Sequence, residues 1–245
     1  MTQKKNIPRL NGKLRANSLM LPECIWKASG IVVLGRRIKS VIFTTDIAII
    51  RNCNADAVLA VYPFTPQQVI SQTLVNASSI PVFSGVGGGL TTGLRSVLIA
   101  RDAEANGAFG VVVNAATKND TISLIHKAVD IPVVVTVVND TTDIAARLDA
   151  GASILNISAA ADTPRVVADI KRNFPNVPVI ATGGPTDESI EATIRAGANT
   201  ISYTPPSAAE IFASIMSDYR KKGTGGDDSK EETDDELLNA LKYLL

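Results

Sequence analysis

The chain has 245 residues, of which 45% are hydrophobic, and its formal net charge is zero. This length and apolar content are ample for one large buried core, and a neutral chain gives no electrostatic support for nucleic-acid binding. No apolar run approaches the ~18 residues that a membrane-spanning helix needs. We therefore expect a cytoplasmic protein with neither a nucleic acid nor a membrane as its partner.

The first forty residues precede the first predicted strand. Residues 1–15 contain five basic residues and no acidic ones, so the charge is unevenly placed at this end. We expect residues 1–40 to form an N-terminal arm or to cover the bottom of the domain that follows. Two cysteines, Cys24 and Cys53, lack the number for a disulfide framework and the spacing of metal ligands.

Eight short apolar runs rich in β-branched residues follow along the chain. They occupy 41–44, 57–62, 81–85, 110–115, 132–138, 153–158, 178–182 and 200–204. Most are continuous rather than alternating, which is typical of parallel strands that helices cover. Helical patterns such as DTISLIHKAV and TPRVVADIKRNF lie between them. Eight βα units predict a closed (βα)8 TIM barrel over residues 41–222, with a doubly wound open sheet as the alternative.

Three of these units have nearly the same sequence where the chain enters the strand. These segments are ANGAFGVVV, DAGASILNI and RAGANTISY. Gly107, Gly151 and Gly197 in these segments fit the left-handed residue that follows the end of a helix.

The C-terminal region has a different composition. The stretch KKGTGGDDSKEETDDE is rich in glycine and acidic residues, which predicts a linker. The leucines of the following LLNALKYLL form one apolar helical stripe. We expect residues 223–245 to be an acidic linker and a short amphipathic helix, which packs on its own barrel or docks on another subunit of a homo-oligomer.

Glycines and hydroxyl residues follow the last two predicted strands. Gly183 and Gly184 come after the seventh strand, and Thr204 ends the eighth. Ser207 and Glu210 then form an S-x-x-E capping box. In (βα)8 barrels, the loops after strands seven and eight often hold a phosphate group.

The stretch VIATGGPTDESIEATIRAGANTISY resembles the last two units of the ribulose-phosphate-binding barrels. This group includes keto-deoxy-phosphogluconate aldolase, thiazole synthase and the phosphoribosyl isomerases. The resemblance implies that Gly183, Gly184, Thr204 and Ser207 bind the phosphate of a small molecule. Two prolines without an N–H group follow Thr204, where the group has glycine and small residues. The alternative is a glycine turn that only closes the barrel.

A second glycine cluster follows the third predicted strand, in PVFSGVGGGLTTG. It contains Gly85, Gly87 and Gly88, and it matches neither the dinucleotide-binding fingerprint nor a P-loop. Strands three and seven lie on opposite sides of an eight-stranded ring. The cluster is therefore either a second anion site, for the other end of one ligand, or a lid loop over a single site.

Polar residues in or just after otherwise apolar strands are expected to face the barrel mouth by strand alternation. They are Thr44, Asp46, Asn114, Thr136, Asn156 and Ser158. We predict Asp46, Asn114 and Asn156 as the catalytic residues. Asp46 is the acid among them, and it could act as a general base, as a Mg2+ ligand, or as the N-cap of the helix that begins IAIIRN.

The residues that are missing also bear on function. The aldolases of the resembled group use a Schiff-base lysine in strand six, where this chain has Asn156, so imine catalysis is not expected. No cofactor is evident beyond Mg2+ at Asp46. We predict a barrel that binds a phosphorylated small molecule and acts as a lyase, isomerase or synthase in sugar-phosphate or cofactor metabolism. The alternative is a non-catalytic regulatory barrel that senses a phosphate ester.

Overall fold

The computed structural model describes Pro8, Leu10 and residues 18–223 of the chain. Eight parallel strands close into a barrel in which each strand pairs with the next and the last pairs with the first. A hairpin of β1 (Ile31–Val33) and β2 (Arg36–Ile38) precedes them. The barrel strands are β3 (Ser40–Phe43), β4 (Ala57–Ala60), β5 (Val82–Gly87), β6 (Gly110–Val113), β7 (Val133–Val137), β8 (Ile154–Ile157), β9 (Val179–Thr182) and β10 (Thr200–Tyr203). The predicted (βα)8 barrel is confirmed, and the open sheet is excluded.

The seam between the first and last barrel strands shows how the barrel closes. Ile201 pairs with Ser40, and Tyr203 pairs with Ile42, in parallel register. The hydroxyl of Thr200 donates to the carbonyl of Ile38 at 2.7 Å across this seam. The runs at 41–44 and 200–204 are therefore neighbouring strands, as the count of eight units predicts.

The hairpin leads directly into β3, so it lies at the amino ends of the barrel strands. Its residues Ile31, Val33 and Ile38 belong to the same buried cluster as barrel residues such as Phe83 and Val134. The hairpin thus contributes apolar surface to the core from the bottom, and the opposite end of the barrel is the open mouth.

Helices cover the outside of the barrel. They are α1 (Ile47–Arg51), α2 (Gln68–Ala77), α3 (Leu94–Ala105), α4 (Asn119–Ala128), α5 (Ile144–Asp149), α6 (Thr163–Asn173) and α7 (Asp187–Arg195). The apolar face of α4 is buried, with Ile122 and Ile125 both 0% exposed. The predicted glycines at 107, 151 and 197 have φ of +92°, +105° and +110°, which confirms the left-handed residue after α3, α5 and α7.

The segment before the hairpin packs on the helix layer between α7 and α1. Backbone bonds join Leu19 to Asn52 and Asn54 just after α1. A short 3-10 helix (Glu23–Lys27) then packs against α7, where Lys27 Nζ lies 2.5 Å from the Glu191 carboxylate. Ile25 in this segment is fully buried. This segment thus packs against α7 and against the residues that follow α1.

The chain divides into two compact units, one up to Pro205 and one from Pro206. The described part of the second unit contains α8 (Ala208–Gly223). The predicted acidic linker and C-terminal helix lie outside the described residues, apart from Gly223. No helix within the described ranges is long and apolar enough to cross a membrane.

Candidate functional site

A cleft of about 350 Å³ opens at the carboxyl ends of β4 to β7. Its walls come from the loops after β4 and β5, from the end of β6, and from Thr136 of β7. The lining residues are 61–66, Gly85, 87–91, 112–114 and Thr136. Because functional groups of (βα)8 barrels sit at the carboxyl ends of the strands, this cleft is the candidate functional site.

A tight glycine turn forms one wall of the cleft. The N–H of Gly88 donates to the carbonyl of Thr91 at 2.8 Å, and the N–H of Thr91 donates back to Gly88 at 3.1 Å. The two central residues of the turn, Gly89 and Leu90, both line the cleft. Within the described residues, neither of their N–H groups has a hydrogen-bond partner. Adjacent unpaired N–H groups in a turn form a binding surface for an anion.

A register shift between Gly85 and Gly87 brings this turn to the mouth. Gly85 pairs with Val112 and Gly87 with Val113, so Val86 is an extra residue in β5. Such β-bulges bend a strand and change the direction of the residues that follow. β5 is consequently longer than the predicted run at 81–85 and carries the glycines into the cleft.

Gly88 and Asn114 form one structural unit. A Cβ on Gly88, whose φ is +137°, would lie 1.9 Å from the Asn114 side chain, so only glycine fits there. The Oδ1 atom of Asn114 accepts the N–H of Ala116 at 3.0 Å, which fixes the side chain against the turn. The structure thus brings the predicted second glycine cluster and the predicted catalytic residue Asn114 together in one cleft.

Thr136, which lines the cleft, forms a pair of neutral side chains with Asn156 of β8. Thr136 and Asn156 occupy paired positions on β7 and β8. The amide of Asn156 donates to the Thr136 hydroxyl at 3.3 Å. Asn156 is only 7% exposed, and its buried Oδ1 atom has no hydrogen-bond partner among the described residues. An unsatisfied buried acceptor costs about 1–3 kcal/mol, so it calls for a functional or solvent partner.

Asp46 is the N-cap of α1 rather than a residue of the cleft. Its Oδ1 atom accepts the N–H groups of Ala48 at 2.8 Å and Ile49 at 3.2 Å. The capping role that the sequence left open is therefore the arrangement present in the structure. Catalysis by Asp46 stays a prediction.

Gly183 has a packing reason to be glycine. Its N–H donates to the carbonyl of Ser202 at 3.3 Å, so this donor already belongs to the barrel ladder. A Cβ here would lie 2.8 Å from Ile190 Cγ1 and 2.9 Å from Ile201 Cγ2. Of the predicted glycine pair, only Gly184 keeps an N–H without a partner in the described part of the chain.

The electrostatics at the start of α7 are unfavourable for an added anion. Thr186 caps the helix in a reciprocal capping box with Ser189, and Asp187 and Glu188 occupy the first turn. The backbone N–H of Glu188 and then the Thr186 hydroxyl lower the pKa of the Glu188 carboxyl. These two carboxylates complement the positive helix terminus and would repel a phosphate. Phosphate binding at Gly183 and Gly184 stays a prediction.

The remaining predicted phosphate residues follow β10. Thr204 is exposed just after the strand. Ser207 belongs to the second unit, where its N–H and its hydroxyl each lie 2.7 Å from Glu210 Oε2. These bonds lower the pKa of the Glu210 carboxyl. The predicted capping box is confirmed, and it already engages both Ser207 donors.

The cleft itself is neutral. None of the described residues that line it is an acid, lysine, arginine or histidine. The Tyr62 hydroxyl accepts the N–H of Gln67 at 2.9 Å. Asp140, after β7, pairs with Arg165 at 2.9 Å, and this arginine lowers the pKa of the Asp140 carboxyl. The described ranges contain no group of three or more His, Cys, Asp or Glu residues that could hold a metal ion. Mg2+ binding at Asp46 stays a prediction.

Sequence reasoning missed the loop after β4. The predicted strand ran through Tyr62, whereas β4 ends at Ala60 and residues 61–66 line the cleft. Phe64 and Leu90 stand on this cleft with 74% and 100% of their surfaces exposed. The prolines in YPFTP were the available signal, because proline ends a central parallel strand.

No family model matches the chain, and no curated protein is detectably similar to it in sequence. Solved structures do resemble it. Phosphoenolpyruvate phosphomutase from Streptomyces platensis subsp. rosaceus has a TM-score of 0.57 at 16% identity, covering 82% of this chain and 84% of that one. KGPDC from Streptococcus mutans has a TM-score of 0.53 at 15% identity, covering 67% of this chain and 86% of that one.

Phosphonopyruvate hydrolase, solved with oxalate and Mg2+, has a TM-score of 0.55 at 14% identity and covers 84% of this chain and 94% of that one. At such identities the likeness shows a shared TIM-barrel fold. The neighbours are consistent with the predicted resemblance to phosphate-binding barrels, and they select no single member.

Proposed function

We propose that this chain binds a phosphorylated small molecule in the cleft at the carboxyl ends of β4 to β7. The observation that carries the proposal is the glycine turn, where Gly89 and Leu90 line the cleft and no described residue hydrogen-bonds to their N–H groups. Backbone N–H groups bind phosphate without a charged side chain, and a neutral cleft leaves that role to them. The competing location is the predicted site at Gly183 and Gly184.

The names of the structural neighbours support this class of ligand. A phosphoenolpyruvate phosphomutase and a phosphonopyruvate hydrolase, named after a phosphate ester and a phosphonate, share the fold. By analogy alone, we infer a lyase, isomerase or synthase of sugar-phosphate or cofactor metabolism. Asn114 and the Thr136–Asn156 pair would act in it as fixed dipoles beside the reacting atoms, since preorganised neutral groups stabilise developing charge.

A non-catalytic regulatory barrel is the second candidate. It is favoured by the cleft lining, which contains no charged side chain to exchange a proton at neutral pH. Both candidates share the phosphate-binding step and differ only in turnover.

The N–H of Leu90 provides the test of the phosphate site. Leu90→Pro removes this donor, whereas Leu90→Ala keeps it and trims a side chain that is 100% exposed. We would titrate the 15N-labelled full chain with inorganic phosphate and a panel of phosphomonoesters, following the amide signals of Gly89, Leu90 and Gly184. Shifts at the turn, with weaker binding in Leu90→Pro than in Leu90→Ala, are expected.

Equal binding by the two folded variants, or shifts confined to Gly184, would contradict the proposed location. Absence of any response to phosphate compounds would contradict the proposed ligand class. Incubation with each bound ester, followed by product analysis, then separates the enzyme from the sensor.

A further inference from the structure

We infer that Thr136 and Asn156 form a subsite that recognises a hydroxyl group of the ligand. This inference rests on the proposed function, because it assigns the part of the ligand that lies beyond the phosphate. It adds a selectivity that the phosphate turn cannot supply, since N–H groups in a turn bind any phosphate ester.

The position of the pair carries the first part of the argument. Thr136 lines the cleft, and the β7–β8 register pairs it with Asn156, so both side chains face the barrel interior. The interior-facing positions on the next two strands are also neutral, with Thr182 paired to Ser202. This arc of the mouth therefore presents hydroxyl and amide groups without charge.

The hydrogen bonding of the pair carries the second part. The Asn156 amide donates to Thr136 Oγ1 at 3.3 Å, so the Thr136 hydroxyl proton is available for another acceptor. Asn156 Oδ1 is buried, and no residue in the described part of the chain donates to it. The pair thus offers one donor and one acceptor side by side. An alcohol satisfies both, whereas a carboxylate only accepts and an ammonium only donates.

The burial of Asn156 distinguishes a recognition group from a surface amide. Only 7% of the residue is exposed, and a leucine of similar size would fill this position without an unsatisfied oxygen. A buried acceptor that folding leaves unpaired is costly, and it rejects ligands that cannot donate to it. We therefore expect a preference for a polyol phosphate over an alkyl phosphate of equal length.

The test compares ribitol 5-phosphate with pentyl phosphate, which share the phosphate and the chain length. Affinities for both are measured by calorimetry on the wild-type chain, Thr136→Val, Thr136→Ser and Asn156→Leu. Thr136→Ser keeps the hydroxyl and serves as the matched control for Thr136→Val. The preference for the polyol should fall about two- to tenfold in Thr136→Val and Asn156→Leu, as expected for one neutral hydrogen bond. It should persist in Thr136→Ser, and pentyl phosphate affinity should change little.

An unchanged preference in Asn156→Leu, or an equal loss in Thr136→Ser and Thr136→Val, overturns the inference while leaving phosphate binding intact. If neither ester binds, the proposed function fails and the subsite is tested alone. The side-chain amide signals of Asn156 should then shift with ribitol and not with pentanol, and no shift overturns it. If Asn156→Leu does not fold, the comparison of Thr136→Val with Thr136→Ser decides whether the inference holds.

Discussion

Gly183→Ala tests whether glycine is required at the end of β9 by packing. The added Cβ would lie 2.8 Å from Ile190 Cγ1 and 2.9 Å from Ile201 Cγ2. Both isoleucines are at most 1% exposed, so neither has free space to move into. Overpacking a filled core costs about 1–3 kcal/mol. Replacing glycine restricts the unfolded chain and returns about 0.4–1 kcal/mol.

The net loss of unfolding free energy is therefore between about 0 and 2.6 kcal/mol. For a domain of this size each kcal/mol lowers the melting temperature by roughly 2–4 °C. Urea denaturation of the full chain gives the free energy directly, and thermal unfolding gives an independent value.

Gly183→Ala is also made in a chain that carries Ile190→Ala, because that substitution removes Ile190 Cγ1, one of the two atoms that the new Cβ would meet. Gly183→Ala should cost less there by about 1 kcal/mol, which is a normal coupling energy for residues in contact. Gly35→Ala is the control, since its Cβ meets nothing within 4 Å and its cost comes only from φ of +78°. That cost should be equal in both backgrounds. If Gly183→Ala also costs the same in both, contact with Ile190 does not explain the glycine.

Three further predictions concern single side chains. Asp46→Asn should leave the urea midpoint nearly unchanged because asparagine caps a helix as well as aspartate does. Asp46→Ala should lower the free energy of unfolding by about 0.5–2 kcal/mol. Equal effects of the two variants on stability would contradict the capping role. Arg165 lowers the pKa of Asp140 in the folded protein. The pair therefore stabilises the fold above the pKa of Asp140 in the unfolded chain, and this stabilisation is lost as the pH falls through the pKa of Asp140 in the folded protein. Arg165→Ala should raise the Asp140 pKa in an NMR titration, and an unchanged pKa would refute the pairing. No described residue hydrogen-bonds to the buried Oγ of Ser84, so Ser84→Ala should be neutral or stabilising in thermal unfolding. A loss above about 1 kcal/mol would reveal a missed partner.

The fold could be predicted because local sequence patterns indicate each strand and helix. Each apolar run of β-branched residues marks a strand, and eight such runs with helices between them leave few topologies. The glycines at 107, 151 and 197 end their helices as the repeated segment predicts. Ser207 and Glu210 form their capping box because that motif depends on residues three positions apart.

The site could be predicted only in part, because it depends on distances across the barrel. Strand alternation correctly places Asn156 in the interior, yet it cannot show that its Oδ1 lacks a partner. Asp46 carries the chemistry of a base, but the N–H groups of α1 engage its carboxylate. The glycines of β5 reach the cleft because of a bulge at Val86. No local sequence pattern indicates that bulge.

The seam between β3 and β10 has a consequence for synthesis. Thr200 and Ile38 bond across it although they lie 162 positions apart in the chain. While the ribosome adds the intervening residues, β3 presents an edge of unpaired N–H and C=O groups, and so does each newest strand beside it. The sheet closes into a barrel only when β10 leaves the ribosome and pairs with both β9 and β3. A nascent chain that stalls before Thr200 therefore has two unpaired strand edges, which favour pairing with other chains and aggregation.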